Sequence, residues 1–121
     1  MTGRPRSVQG MTQYEVWWAD LPKPAGRRPV LLLTRPSGYQ YLNKFVVAEI
    51  TTTIRSIAQE VRLGKSEGLK PCVANLDNVR TIGRSALVKR AGCLADSRHA
   101  EVQQALGFAL GWTELIQTEG K

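Results

Sequence analysis

The sequence predicts a mainly β protein, a small and strongly curved β-barrel with one helix packed on it near the C-terminus. Short segments rich in β-branched and aromatic residues alternate with turns that contain proline, glycine or asparagine. Apolar residues recur at spacings of three and four mainly after residue 96. The length of 121 residues suits a single domain with one core.

Six segments are predicted to form the strands. They are residues 14–20, 29–34, 45–51, 60–63, 72–75 and 79–82. The run at 29–34 is almost continuously apolar, which is typical of a central strand covered on both faces. Residues 21–26 contain Pro22, Pro24 and Gly26, so they form a short loop that cannot continue a sheet.

The C-terminal helix is predicted to begin at an N-cap formed by Asp96. Its apolar face consists of Val102, Ala105, Leu106, Ala109 and Leu110. Gly107 and Gly111 lower the intrinsic stability of a helix, so this one must pack on the sheet. Residues 85–88 are expected to form a single helical turn.

Residues 13–112 are predicted to form the domain, with a flexible leader at 1–12 and a polar tail at 113–121. No apolar run approaches the ~18 residues that cross a membrane, and residues 1–10 lack the apolar core of a secretory signal. Cys72 and Cys93 are too few for a disulfide framework and have no further Cys or His at zinc-site spacing. We therefore expect a cytoplasmic protein with no metal and no cofactor.

The formal charge is +7, from 17 Lys and Arg against 10 Asp and Glu, and 11 of the 17 are Arg. Guanidinium groups bind phosphate and carboxylate in bidentate fashion, so this excess favours nucleic acid or an acidic peptide as partner. A basic protein without such a partner has the same composition, so charge alone does not decide between them.

Two strand ends carry the residues of a candidate site. Arg27 and Arg28 lead into the apolar run at 29–34, and Thr51, Thr52 and Thr53 end the segment at 45–51. If the fold places them side by side, an arginine and a threonine can bind a phosphodiester without a metal, because both supply hydrogen-bond donors to its oxygens.

Four segments in order, 16–21, 26–32, 47–51 and 76–82, resemble the MazF/PemK (Kid) toxins. In that family a strand ending W-x-x-D-L precedes an R-P-V strand, a strand ending in threonine or serine, and an x-Q-x-R-T/S-I/V segment. The resemblance implies an SH3-like plasmid-maintenance-toxin barrel with a C-terminal helix. It also implies a symmetric homodimer whose RNA groove spans both subunits.

The implied activity is metal-independent cleavage of single-stranded RNA (mRNA, tRNA or rRNA) at a short sequence. The ribose 2′-OH attacks and leaves a 2′,3′-cyclic phosphate and a 5′-OH. The resemblance further implies growth inhibition, neutralisation by a cognate antitoxin, and DNA binding by the toxin–antitoxin complex.

Arg28, Thr51 and Arg80 match the catalytic residues of the family. We expect Arg28 to stabilise charge rather than to transfer protons, because the pKa of arginine is far above neutrality. In the PemK/Kid branch the arginine matched by Arg80 acts as catalytic acid or phosphate ligand. Alternatively, Arg80 is a structural cation paired with Asp77 or Glu49.

Arg27, Thr52, Thr53 and Arg55 are the expected RNA contacts nearest to these residues. The loop before Arg28 is shorter than in many family members, which moves further contacts toward residues 35–44. There Tyr39 and Tyr41 are expected to stack on bases beside Lys44, unless the two tyrosines simply pack at a turn.

Two other functions are compatible with the sequence. A gyrase poison of the CcdB kind shares the barrel, but it ends in Trp-Gly-Ile, whereas here Gly111 and Trp112 are followed by Thr113. A non-catalytic RNA-binding homologue is the second, because some relatives carry an acid soon after the arginine matched by Arg80. This chain has Ile82, Gly83 and Arg84 there.

Overall fold

A computed structural model describes residues 10–116 and confirms the mainly β fold with a C-terminal helix. The strands are β1 (Glu15–Leu21), β2 (Gly26–Leu32), β3 (Lys44–Thr51), β4 (Glu60–Leu63), β5 (Cys72–Gly83) and β6 (Leu87–Cys93), and the helix is α1 (His99–Leu110). They form one curled antiparallel sheet in the order β4-β5-β3-β2-β1-β6.

Alternating side chains of the central strands divide the core between the two faces of the sheet. Leu31, Ala48 and Ile50 are buried on the face that α1 covers. Val30 and Val47 are buried on the opposite face, which is closed by the curl of the sheet and by the 3-10 turn Pro36–Gln40. Strands buried on both faces explain the unbroken apolar runs in the sequence.

Close backbone contact joins the turn after β4 to the edge strand β6. A Cβ atom added to Gly68 would meet the carbonyl oxygen of Ala91, and one added to Gly92 would meet that of Glu67. Gly68 also has a φ of 81°, which is a left-handed conformation that favours glycine. These glycines therefore let the two edges of the sheet, at β4 and β6, approach each other.

A bulge in β5 interrupts its pairing with β3. Ala48 pairs with Val79, whereas the next residue, Glu49, pairs with Asn75, so the intervening residues 76–78 have no partner on β3. The backbone N–H of Asp77 donates to the Asn75 side-chain oxygen at 2.9 Å, which holds the bulge in place. The structure thus has one long bent strand where two short strands were predicted.

The sequence prediction was wrong for strand β6. Residues 85–88 were expected to form a helical turn, but the 3-10 turn covers Arg84–Ala86 and β6 begins at Leu87. Only Leu87 of this strand is buried, so the edge strand lacks the apolar pattern that marks the others. Strand β2 also begins earlier than predicted, at Gly26, so Arg27 and Arg28 lie within it.

The helix differs from the prediction at both ends. Asp96 begins a 3-10 turn, Asp96–Arg98, and α1 starts at His99. Val102 and Ala105 are buried as expected, but Leu110 is 50% exposed. Within residues 10–116, no helix is long and apolar enough to span a bilayer.

The ends of the chain are described in part. Met11 and Thr12 are buried, so the packed chain begins before the predicted boundary at residue 13. Residues 113–115 of the predicted tail form a 3-10 turn. The rest of the predicted leader (1–9) and tail (117–121) lies outside the described residues.

Candidate functional site: an arginine–threonine groove

Strands β2 and β3 bring Arg28 and Thr51 together. Val30 pairs with Glu49 in this antiparallel ladder, and continuing the register by two residues places Arg28 opposite Thr51. Both residues are half-buried at the end of the strand pair that follows the short loop between β1 and β2. The two strand ends that the sequence singled out are therefore adjacent in space.

Loop geometry orients the Arg28 guanidinium. Its Nε donates to the backbone oxygen of Ala25 at 3.2 Å. Gly26 has a φ of 68°, so the chain turns sharply there and presents that carbonyl to the arginine. The Nε contact anchors one edge of the guanidinium, whose two terminal nitrogens carry further N–H donors.

The Thr51 hydroxyl is held by its own strand end. Its oxygen accepts the backbone N–H of Thr53 at 3.1 Å. A hydroxyl that accepts one hydrogen bond retains its own hydrogen for donation to another oxygen. Thr51 is thus prepared to donate to an anion bound beside Arg28.

A groove of about 620 Å³, here called the main groove, opens beside these two residues. It is lined by Trp18, Ala25, Arg27, Arg28, Pro29, Ile50, Thr51, Thr52, Gly68, Leu69, Lys70 and Cys72. Its floor is largely apolar and its rim carries cations. Burial raises the pKa of the Cys72 thiol in this floor, and the Glu67 carboxylate raises it further.

A second cavity of about 150 Å³, here called the polar pocket, adjoins the main groove. Its lining consists of Arg28, Glu49, Thr51, Thr53, Arg55, Asn75 and Asn78. Arg28 and Thr51 therefore border both cavities. Of the predicted RNA contacts, Thr53 and Arg55 lie here, while Arg27 and Thr52 line the main groove.

Two further arginines of the predicted site, Arg27 and Arg80, form ion pairs. Arg27 binds Asp20 through Nε at 2.8 Å and Nη2 at 3.1 Å, and these hydrogen bonds lower the pKa of the Asp20 carboxyl. Arg80 Nη1 lies 3.0 Å from Glu49 Oε2 and lines neither cavity. Of the three predicted catalytic side chains, Arg28 and Thr51 thus border both cavities, whereas Arg80 borders neither and contacts Glu49 of the polar pocket.

The prediction of Tyr39 as an RNA contact was wrong. Its side chain is fully buried and packs on Phe45 with ring centroids 4.5 Å apart. Burial raises the pKa of its hydroxyl well above the ordinary value. No base can stack on a ring that is enclosed by the core.

Tyr41 and Lys44 are exposed, but they lie at the opposite end of the β2–β3 pair from Arg28. The Tyr41 hydroxyl accepts a hydrogen bond from Arg35 Nη2 at 2.9 Å, which lowers its pKa. Neither residue lines the two cavities. The structure therefore separates them from the arginine–threonine pair.

Sequence reasoning missed several residues that line the cavities. The structure buries Trp17 and places its neighbour Trp18 in the main groove. No sequence pattern marks Leu69, Lys70 and Asn75 as site residues, because only the curl of the sheet and the β5 bulge bring them next to the site. Within residues 10–116, no three His, Cys, Asp or Glu side chains lie close enough to hold a metal ion.

Fold and site together define a class of protein. A small curled antiparallel sheet presents a guanidinium and a hydroxyl at the junction of an apolar groove and a polar pocket. The donors of such an arrangement suit a phosphate group that carries flanking apolar and hydrogen-bonding parts, as in a nucleic acid.

Comparison with known proteins identifies the family. The model of PemK-like, MazF-like toxins of type II toxin–antitoxin systems matches residues 12–110. The probable endoribonuclease MazF5 of Mycobacterium tuberculosis is 40% identical over 98 residues, which span 79% of this chain and 89% of that protein. The chain therefore belongs to the PemK/MazF family of toxins.

Solved structures agree with this assignment. The Mycobacterium tuberculosis toxin MazF-mt6 superposes with a TM-score of 0.75 at 36% identity, over 80% of this chain and 96% of that one. An endoribonuclease from a mycobacterial species, solved in complex with its cognate antitoxin, gives a TM-score of 0.75 at 28% identity, over 84% of this chain and 96% of that one. The predicted fold family is thereby confirmed.

Proposed function

We propose that this toxin is an endoribonuclease that cuts single-stranded RNA (mRNA, tRNA or rRNA) at a short specific sequence without a metal ion. The observation that carries the proposal is the meeting of Arg28 and Thr51 where the two cavities join. Relatives named as endoribonucleases support the reaction class. Metal independence follows from the family resemblance and is tested below with EDTA.

Cleavage in this proposal uses the ribose 2′-OH as nucleophile. The 2′-OH gives up its proton to water as the bond from O2′ to phosphorus forms, and O5′ takes a proton from water as its bond to phosphorus breaks, so the products are a 2′,3′-cyclic phosphate and a 5′-OH. Arg28 stabilises the charge that develops on the non-bridging oxygens, because a guanidinium holds several donors in fixed positions. Thr51 donates its hydroxyl hydrogen to one of the same oxygens.

Arg80 has a supporting role in this scheme. Its ion pair with Glu49 favours the structural alternative over that of a catalytic acid, because Arg80 lines neither cavity and its guanidinium is directed to a carboxylate of the polar pocket. The family role of the matching arginine in phosphate binding stays a prediction for this chain.

We also propose a homodimer that acts in the cytoplasm and is neutralised by a cognate antitoxin. The antitoxin complex of the mycobacterial relative supports this partner. Phe108, Leu110 and Trp112 are 42%, 50% and 54% exposed at the end of α1, and such apolar surface is typical of an interface. An antitoxin segment with apolar and acidic side chains fits the main groove, so a saturated complex is expected to lose cleavage.

The first experiment is cleavage of a long single-stranded RNA in EDTA by the wild type and by Arg28→Ala. We expect discrete cuts with 5′-OH ends, reduced about 100-fold or more in the variant, which is the usual effect of removing one transition-state donor. Lys44→Ala is the matched control, since it removes one charge at the opposite end of the β2–β3 pair.

Three results would contradict the proposal. Intact RNA with folded, antitoxin-free wild type indicates a binding protein or a gyrase poison. Cleavage that EDTA abolishes indicates a metal-dependent reaction. Equal loss of activity in Arg28→Ala and Lys44→Ala indicates that only net charge matters.

A further inference from the structure

The two cavities are lined from opposite faces of the β2–β3 pair. Successive side chains of a strand alternate, so Ile50 belongs to the face of the main groove and Glu49 to that of the polar pocket. Arg28 and Thr51 border both cavities at the strand ends. A phosphodiester bound by these two residues therefore has one cavity available for each of the nucleosides that it joins.

The main groove offers stacking rather than hydrogen bonding to a base. Trp18 is half-buried, and the neighbouring Pro29 and Leu69 extend its apolar surface. Every base has an aromatic face, so stacking on an indole tolerates any sequence. This cavity is expected to bind a base without selecting it strongly.

The polar pocket offers fixed acceptors and donors. Arg80 Nη1 holds Glu49 Oε2 at 3.0 Å, which keeps the carboxylate in place as an acceptor. Asn75 is 4% exposed, and its side-chain oxygen accepts the Asp77 N–H, so its amide is oriented with the NH₂ group as the available donor. Asn78 is exposed in the bulge and adds an amide at the rim.

We propose that the polar pocket is the base-selecting subsite of this toxin and that Glu49 accepts a hydrogen bond from an exocyclic amino group. A carboxylate accepts only, so it favours an amino-bearing base and disfavours a carbonyl oxygen at the same position. The base on the other side of the cleaved bond stacks on Trp18. This inference rests on the proposed function and adds the origin of its sequence preference.

The test is cleavage of an RNA pool randomised on both sides of the cut, with the cut positions sequenced for each variant. We expect the wild type to prefer amino-bearing bases at one flanking position. Glu49→Gln should reduce that preference about tenfold, which corresponds to about 1.4 kcal/mol, because glutamine offers both a donor and an acceptor. Asn78→Ala should weaken the same preference severalfold.

Trp18→Leu is the matched variant for the other cavity. It should slow cleavage of all sequences alike and leave the preference at the polar-pocket position unchanged. Thermal melting establishes that each variant is folded, and Asn78→Ala carries the test if Glu49→Gln does not fold, since its side chain is exposed.

Two outcomes would overturn the inference while the proposed function stands. One is an unchanged base preference in both Glu49→Gln and Asn78→Ala. The other is a uniform loss of rate in Glu49→Gln with its preference intact, which would mean that Glu49 only anchors Arg80. Wild-type protein that leaves the pool uncut would instead contradict the proposed function, and the inference would fall with it.

Discussion

The two ends of the β2–β3 strand pair lie in opposite environments. At one end Arg28 and Thr51 border open cavities, and at the other Tyr39 and Phe45 are enclosed in the core. At the open end, residues 22–25 connect β1 to β2, and this short loop has too few side chains to cover Arg28 and Thr51. At the closed end the connection of residues 33–43 folds back as the 3-10 turn Pro36–Gln40 and inserts Tyr39.

This difference shows that a cation beside an aromatic residue indicates a nucleic-acid site only when the backbone leaves both exposed. At the closed end Arg84 is used structurally, since its Nη2 donates to the backbone oxygens of Tyr39 and Leu42 at 3.0 and 2.6 Å. The same guanidinium lies 5.0 Å from the centre of the Phe45 ring. Tests of each end can therefore separate stability from activity.

The largest effect is expected at the closed end. Tyr39→Ala should lower the free energy of unfolding by about 3–5 kcal/mol, as for other large aromatic side chains removed from a core. Its buried hydroxyl lies near Thr34 but makes no hydrogen bond of good geometry among residues 10–116, so Tyr39→Phe should change stability by less than about 1 kcal/mol. Urea unfolding measures both, and a Tyr39→Ala protein of normal stability would refute the burial of this ring.

At the open end, Thr51→Val should reduce cleavage about 100-fold, which corresponds to about 2.7 kcal/mol. Valine has nearly the same shape as threonine but lacks the hydroxyl donor. Thr51→Ser keeps the donor and should retain most of the activity. Single-turnover cleavage rates measure the difference, with melting temperatures as the check on folding. Equal losses in the valine and serine variants would indicate packing rather than donation.

Tyr41 tests whether the exposed surface of the closed end binds RNA. Its ring lies outside both cavities and is held by Arg35, so Tyr41→Ala should change the cleavage rate by less than about twofold. The measurement is the same cleavage assay over a range of RNA concentrations. A large rise in KM would restore Tyr41 as an RNA contact and would extend the substrate path along the whole strand pair.

The smallest effect concerns the thiols. Cys93 is exposed, whereas Cys72 is 4% exposed in the floor of the main groove and its pKa is raised by burial. The thiolate is the reactive form, so Cys72 should stay unmodified at neutral pH and react only as the pH rises past the ordinary thiol pKa of about 8.5. Mass spectrometry after alkylation at several pH values measures this, and rapid labelling of Cys72 at pH 7 would contradict the described floor.

Sequence reasoning was accurate where a residue acts through its own strand. Strand β4 has the predicted bounds, β1 is shifted by one residue at each end and β3 begins one residue earlier, because apolar and β-branched runs specify buried strands directly. Arg28 and Thr51 were predicted as site residues because they lie near the start of one such strand and at the end of another, and because they match a family motif. Edge strand β6 escaped prediction because partial exposure removes that pattern.

Only the tertiary structure decided which of the predicted site residues lie around the same two cavities. The amino-acid sequence by itself determined the family and the mainly β fold and singled out Arg28 and Thr51 as candidates, since these depend on local pattern. The β2–β3 register, the β5 bulge and the curl of the sheet decided the rest, bringing Glu49, Asn75, Leu69 and Trp18 to the cavities and burying Tyr39. Such juxtapositions depend on contacts between distant segments, and no local propensity encodes them.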